Sequence, residues 1–220
     1  MKLLNIMAAS LAIGFASNIN AQDINSVEST YLISITNITA GQSFTPILAA
    51  THNRNASFFK LGEAPSQALA DMAEGGETAG LMMALMESGD GYDMQTSGEG
   101  LIGPGETKTI EVISAGTRYD MLSIAGMLLP TNDTFIALNS VNLPRWSTTL
   151  YANAYDAGSE ENDELCANIP GPVCGGEPFS EGLGEGYVHN SRGISGEGDL
   201  SANAYDWRNP VAKITIQRVK

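Results

Sequence analysis

Positive charge is scarce in this chain. Its 220 residues carry 11 Lys and Arg against 25 Asp and Glu, a formal net charge of −14, although only 16% of the sequence is charged. A phosphate-binding face needs clustered basic side chains, so nucleic acid is not expected as a partner. Cations and basic surfaces are better matched, while many of the acids serve as a soluble surface. Histidine is nearly missing. His52 and His189 stand in polar sequence without a recognisable nucleophile beside them, and no His-Glu-x-x-His motif is present. A structural or surface role is expected for both. Cysteine occurs only as Cys166 and Cys174. No His or further Cys flanks them to complete a thiolate metal site, and a disulfide is the default in an exported chain. The turn-prone Ala-Asn-Ile-Pro-Gly-Pro-Val between them lets the sulfurs meet. Closing so short a loop stabilises by roughly 2–3 kcal/mol at most.

Other absences narrow the function. Beyond the first residues no segment approaches the length of uninterrupted apolar sequence that a membrane-spanning helix needs. A Walker loop, a Gly-x-Ser-x-Gly elbow and an EF-hand loop are all lacking. Gly182, Gly184 and Gly186 imitate a dinucleotide-binding loop, but the third glycine comes one residue early and no helical pattern follows.

What is present begins with an export signal. Met1-Lys2 is basic, residues 3–15 are apolar and small, and Ala21 precedes polar Gln22-Asp23. This layout predicts a signal peptide over 1–21, cleaved after Ala21, and a mature domain over 22–220. No Cys follows the cleavage point, so no lipid anchor is expected.

The mature chain reads as mostly β. Residues 29–39 are rich in β-branched side chains and predict a strand. Residues 43–50 predict another, broken at Pro46, and 51–57 a polar loop. The period then changes. Residues 65–74 predict a short helix ended by Gly75-Gly76, and 77–87 a second helix whose Leu81, Met82, Leu85 and Met86 fill a core facing the sheet. Residues 88–105, with many glycines, predict a loop. Strands follow at 107–114, which alternates cleanly, at 119–129, which is more apolar and so more central, and at 134–141, 148–153 and 211–219. The stretch 160–198 is rich in Gly and Pro and reads as long irregular structure, usually functional at that length. Only 185–189 within it is expected to be ordered. One domain of about eight strands with a helical insert is the simplest architecture.

Two acidic turns stand where strands end: Pro130-Thr131-Asn132-Asp133, and Tyr155-Asp156-Ala157-Gly158-Ser159-Glu160. Gly158 permits a turn that points the carboxylates of Asp156 and Glu160 inward. Two such turns can converge into an oxygen cage for a hard cation such as Ca²⁺. The acids of 156–164, among them Glu161, Asp163 and Glu164, also allow an alternative, a polysaccharide hydrolase working through a carboxylate pair. A metal-free structural domain with solvated acids is the third reading.

The order of several motifs resembles the spondin N-terminal domain family, in the form of a stand-alone exported member. The similar runs are Phe44-Thr45-Pro46-Ile47-Leu48-Ala49-Ala50-Thr51-His52, Ala64-Pro65-Ser66 with Leu69 and Met72-Ala73-Glu74-Gly75-Gly76, the 121–129 strand with Pro130-Thr131-Asn132-Asp133, Tyr155-Asp156-Ala157-Gly158-Ser159-Glu160, and Pro210-Val211-Ala212-Lys213-Ile214-Thr215-Ile216. The resemblance implies a C2-like antiparallel β-sandwich with a calcium ion between loops at one end, its carboxylate ligands on Asp133, Asp156 and Glu160. The chain departs from the family in having Tyr155 for Trp and, at position 160, Glu where some members have Asp. The Cys166–Cys174 pair is local to this branch. The implied function is an exported calcium-binding module, secreted, periplasmic or on the cell surface, with no enzymatic activity, mediating binding or adhesion to an extracellular protein or glycan. Its loops lack the basic clusters that anionic lipid would require, so membrane binding is not expected.

Overall fold

A computed structural model describes residues 27–180 and 182–220; the expected signal peptide, 1–21, lies outside the described residues. The alternation of small and β-branched residues decides which faces are buried. β1 (Glu28–Asn37) buries every second side chain, and β10 (Ala212–Arg218) does nearly the same, the pattern of strands with one face in water. β6 (Met121–Leu129), a largely apolar run, and β3 (Leu48–His52), which ends in polar Thr51 and His52, are buried at every position. They lie between two cores.

The strands pair antiparallel in the order β4 (Gly91–Thr96), β3, β6, β7 (Thr134–Asn142), β8 (Ser147–Asp156), β10, β1, β5 (Thr107–Ala115). β8 changes partner part-way. Its residues 147–152 pair with β10, and Asn153–Asp156 pair with β7, so one strand belongs to both layers of the sandwich. Side chains of β4 and of its neighbour β3 reach the other outer strand, β5. Asp93 Oδ2 accepts from Ile113 N at 2.7 Å, and Thr51 Oγ1 donates to Ile113 O at 2.6 Å. The sheet is thereby nearly closed as a barrel. Two short strands complete it: β2 (Ser43–Phe44) beside β6, and β9 (His189–Asn190) beside β8.

The inner core holds Ile33, Ile35, Phe44, Leu122, Ile136 and Ile214 among others. The outer core is built on the opposite face of β3, β6 and β7, where Phe59, Leu69, Met72, Leu81, Leu85 and Phe135 pack under two helices. α1 (Gln67–Gly75) starts at Ser66, whose hydroxyl accepts from Leu69 N at 3.2 Å, and stops at Gly76 with φ 76°. α2 (Ala79–Ser88) follows after a short turn.

The all-β expectation holds, with differences that have physical causes. The 43–50 run divides at Pro46 into β2 and β3. Residues 91–96, expected as loop, form β4. Their flanking glycines mask the signal, and pairing with β3 (Leu48↔Thr96 to His52↔Gly91) supplies what local preference does not. His52 is not in a polar loop: it ends β3 with no exposed surface, its Nε2 2.8 Å from Ser123 Oγ. The 148–153 strand extends to Asp156. The methionines of α2 fill less of the core than expected. Leu81 and Leu85 are buried, but Met82 is half-buried and Met86 is 65% exposed, because α2 presents only one narrow stripe inward. A helical turn, α3 (Ala202–Tyr205), was not expected. Cys166 and Cys174 form the expected disulfide.

Phe135 is fully buried, edge-on to Phe59 at 5.3 Å and tilted against Tyr155 at 5.8 Å. Phe135→Ala is expected to cost about 3–5 kcal/mol in urea unfolding. Met83→Ala, on the exposed face of α2, is expected to stay within about 0.5 kcal/mol of the parent.

Candidate metal centre

The β6–β7 turn and the end of β8 meet at one end of the sandwich. Thr131 closes the first turn: its hydroxyl donates to Leu128 O and accepts from Thr134 N at 3.2 Å. The ladder then sets Thr134 opposite Asp156, which puts Asp133 beside the second turn. Ala157 N donates to Asp133 O at 3.2 Å. Asp133 Oδ2 accepts from Ser159 N at 2.8 Å and Glu160 N at 3.1 Å. The second turn therefore wraps the carboxylate of the first. Gly158 makes this possible. Its φ is 68°, and a Cβ there would stand 2.4 Å from Tyr187 O.

Asp133 and Asp156 have no exposed surface, and Glu160 is 1% exposed. Asp156 Oδ1 accepts from Gly158 N at 2.8 Å and Oδ2 from Asn162 Nδ2 at 3.0 Å. Glu160 Oε1 accepts from Ser180 N. Asp133 Oδ1 and Glu160 Oε2 are buried and find no donor among the described residues. Nor does any Lys or Arg among the described residues pair with the three acids. Burying an ionised carboxylate without a partner is costly, and such a group takes up a proton or a cation. Burial and the adjacent Asp156 carboxylate push Asp133 up to about 7, against the lowering effect of the Ser159 and Glu160 amides. Burial also pushes Glu160 up to about 7, with Ser180 opposing and the Glu74 and Asp163 charges adding. Asp156 is raised by burial, partly offset by His189.

The three acids predicted as ligands thus share one end of the fold. The set of metal-ligating atoms that lies within 4.8 Å of one another among the described residues is a different one: Asp156, Glu185 and His189. β9 places His189 opposite Asp156, with Nε2 3.4 Å from Asp156 Oδ1 and 3.6 Å from Glu185 Oε2. Glu185 and His189 fall in the short stretch expected to be ordered, and their spacing of four hints at a shared face. Nothing in the sequence sets that stretch against the end of β8.

The acids considered for hydrolysis are distributed otherwise. Glu161 lines an open cavity of about 450 Å³ together with Asn162, Asp163, Glu185, Arg192 and Glu197. Asp163 ties down Asn132, at 3.0 Å, and the amide of Leu165, at 2.9 Å. Glu164 binds the backbone amides of Ser195 and Gly196. Burial alone would raise it, but these amides outweigh burial and its pKa is lowered.

The raised acids give a signed pH dependence. In chelated protein the folded state holds protons on Asp133 and Glu160 that the unfolded chain has already lost. Stability is then greatest below the ordinary carboxylate range and falls as the pH rises from about 5 to about 7, by about 1.4 kcal/mol per pH unit for each such group. Urea unfolding in a chelator across this window checks it; Asp133→Asn flattens the slope.

The sequence-family comparison agrees with this architecture. The family model described as Spondin_N matches residues 34–164, which is more than half of the chain and includes both acidic turns. No curated protein is similar enough to match. The chain belongs to the spondin N-terminal domain family.

Proposed function

We propose that this chain is an extracellular β-sandwich module that holds Ca²⁺ between the β6–β7 turn and the loop after β8, on Asp133, Asp156 and Glu160, and that it serves binding or adhesion. The observation that carries the cation is the pair of buried, unpartnered oxygens, Asp133 Oδ1 and Glu160 Oε2. They belong to acids with no Lys or Arg partner among the described residues. An all-oxygen, carboxylate-rich donor set suits a hard cation that takes six to eight oxygens. Bound there, the ion supplies positive charge that keeps the carboxylates ionised at neutral pH. The chain does the rest. Amides of Ser159 and Glu160 orient Asp133, Asn162 orients Asp156, and Ser180 orients Glu160.

The extracellular setting follows the family, and the Cys166–Cys174 disulfide fits an oxidising compartment. Within this reading the module has no enzymatic role. Asp163 and Glu164 are committed to holding loops, and the partner is an extracellular protein or glycan.

Calcium is expected to raise the melting temperature of chelated protein at neutral pH. The stabilisation is about 2.7 kcal/mol when calcium is at 100 times its Kd. Asp133→Asn is expected to abolish that gain and, without calcium, to melt above the parent, since it removes a buried charge. Identical melting of the parent with and without calcium contradicts the proposal.

A further inference from the structure

Beside Asp156 the geometry points to a second cation site, formed by Asp156, Glu185 and His189, that we propose takes a nitrogen-accepting divalent ion, with Zn²⁺ as the first case. Three observations carry it.

The first is the state of the imidazole. His189 Nδ1 lies 2.9 Å from Asn190 O. A carbonyl only accepts, so Nδ1 carries a proton. Nε2 is buried without a hydrogen-bond partner among the described residues, and it faces one oxygen of Asp156 and one of Glu185. Either a proton on Nε2 or a metal ion among the three groups fills this place, and a metal ion competes with the proton for the same lone pair. An imidazole whose Nδ1–H is held by a backbone carbonyl is the usual arrangement for binding metal through Nε2.

The second is distance. A tetrahedral ion bonded at 2.0–2.2 Å separates its ligands by about 3.3–3.6 Å. His189 Nε2 stands 3.4 Å from Asp156 Oδ1 and 3.6 Å from Glu185 Oε2. Calcium bonds are longer and prefer oxygen throughout, so the imidazole separates this site in kind from the one around Asp133.

The third is support from behind. Asn162 Nδ2 lies 3.0 Å from Asp156 Oδ2 and 3.4 Å from Glu185 Oε1. One amide thus bridges the outer oxygens of both carboxylates and leaves the inner ones facing the ring. Asn162 and Glu185 also line the open cavity of about 450 Å³, which gives an ion a way in and leaves room for water as a fourth ligand. Glu185 and His189 lie beyond the residues that the family model matches, while Asp156 lies within them.

The two cation sites share Asp156 but are tested separately. Calorimetric titration of chelated protein with Zn²⁺ alone is expected to show binding, and Co²⁺ in its place is expected to give the intense visible absorption of a four-coordinate ion. His189→Ala removes a ligand and is expected to weaken Zn²⁺ by more than about 100-fold, and Asn162→Ala, which removes only the supporting bonds, by about 10- to 100-fold. His189→Ala is expected to keep its calcium-dependent rise in melting temperature, which shows that it folds, and Asp133→Asn to lose that rise yet still bind Zn²⁺. Zn²⁺ affinity unchanged in His189→Ala, or no Zn²⁺ binding by the parent, overturns the second site whatever calcium does.

Discussion

Buried negative charge at one end of the sandwich is the constraint on which this structure turns. Asp133, Asp156 and Glu160 lie inside the protein, and none is paired with a Lys or Arg among the described residues. A chain with so few basic residues has little means of neutralising them with its own side chains. Backbone amides take part of the load. The turn at 157–160 offers its N–H groups to Asp133, much as an anion is held in a concave run of amides. Amides do not remove the charge, and two oxygens stay unsatisfied. The fold therefore depends on something from outside, either protons or a cation.

The rest of the architecture can be read as the frame that forces these acids together. β6 and the first half of β7, Thr134 to Leu138, are buried on both faces, between the inner core and the helix-covered outer core, so their connecting turn has little freedom to swing away. β8 belongs to both layers through its change of partner, and its end fixes Asp156 against that turn. Glu74, at the end of α1, is buried at the same site and raised by burial, with the Ser159 hydroxyl opposing. The long segment after Glu164 is tied back by Glu164 itself and by the disulfide, and it returns through β9 to cover the site.

Much of this frame was legible in the chain. Alternation in 107–114 and 211–219, the continuous apolar run of 121–129, and Ser66 and Gly76 around α1 are local signals, set by side-chain period and capping chemistry. Asp133 and Asp156 were legible because strand ends followed by acidic turns mark a loop site, and the family resemblance singled out the same residues. β4 was not legible, because its pairing with β3 is decided by tertiary contact while its own residues are weak strand formers. Nor was the place of His189. The 160–198 segment has no period to read, and its return beside β8 rests on scattered contacts of single residues, such as Gly158 beneath Tyr187. The exposure of Met86 was hidden for a related reason, since a helical period says which residues share a face but not how wide a stripe the neighbour covers.

The central claim is that calcium, rather than protons alone, answers the buried charge at neutral pH. Elemental analysis of the protein purified without added metal and dialysed at neutral pH tests it most directly. Stoichiometric calcium, lost in Asp133→Asn, is the predicted result. A folded parent protein that carries no calcium, and takes none up when dialysed against it, contradicts the account.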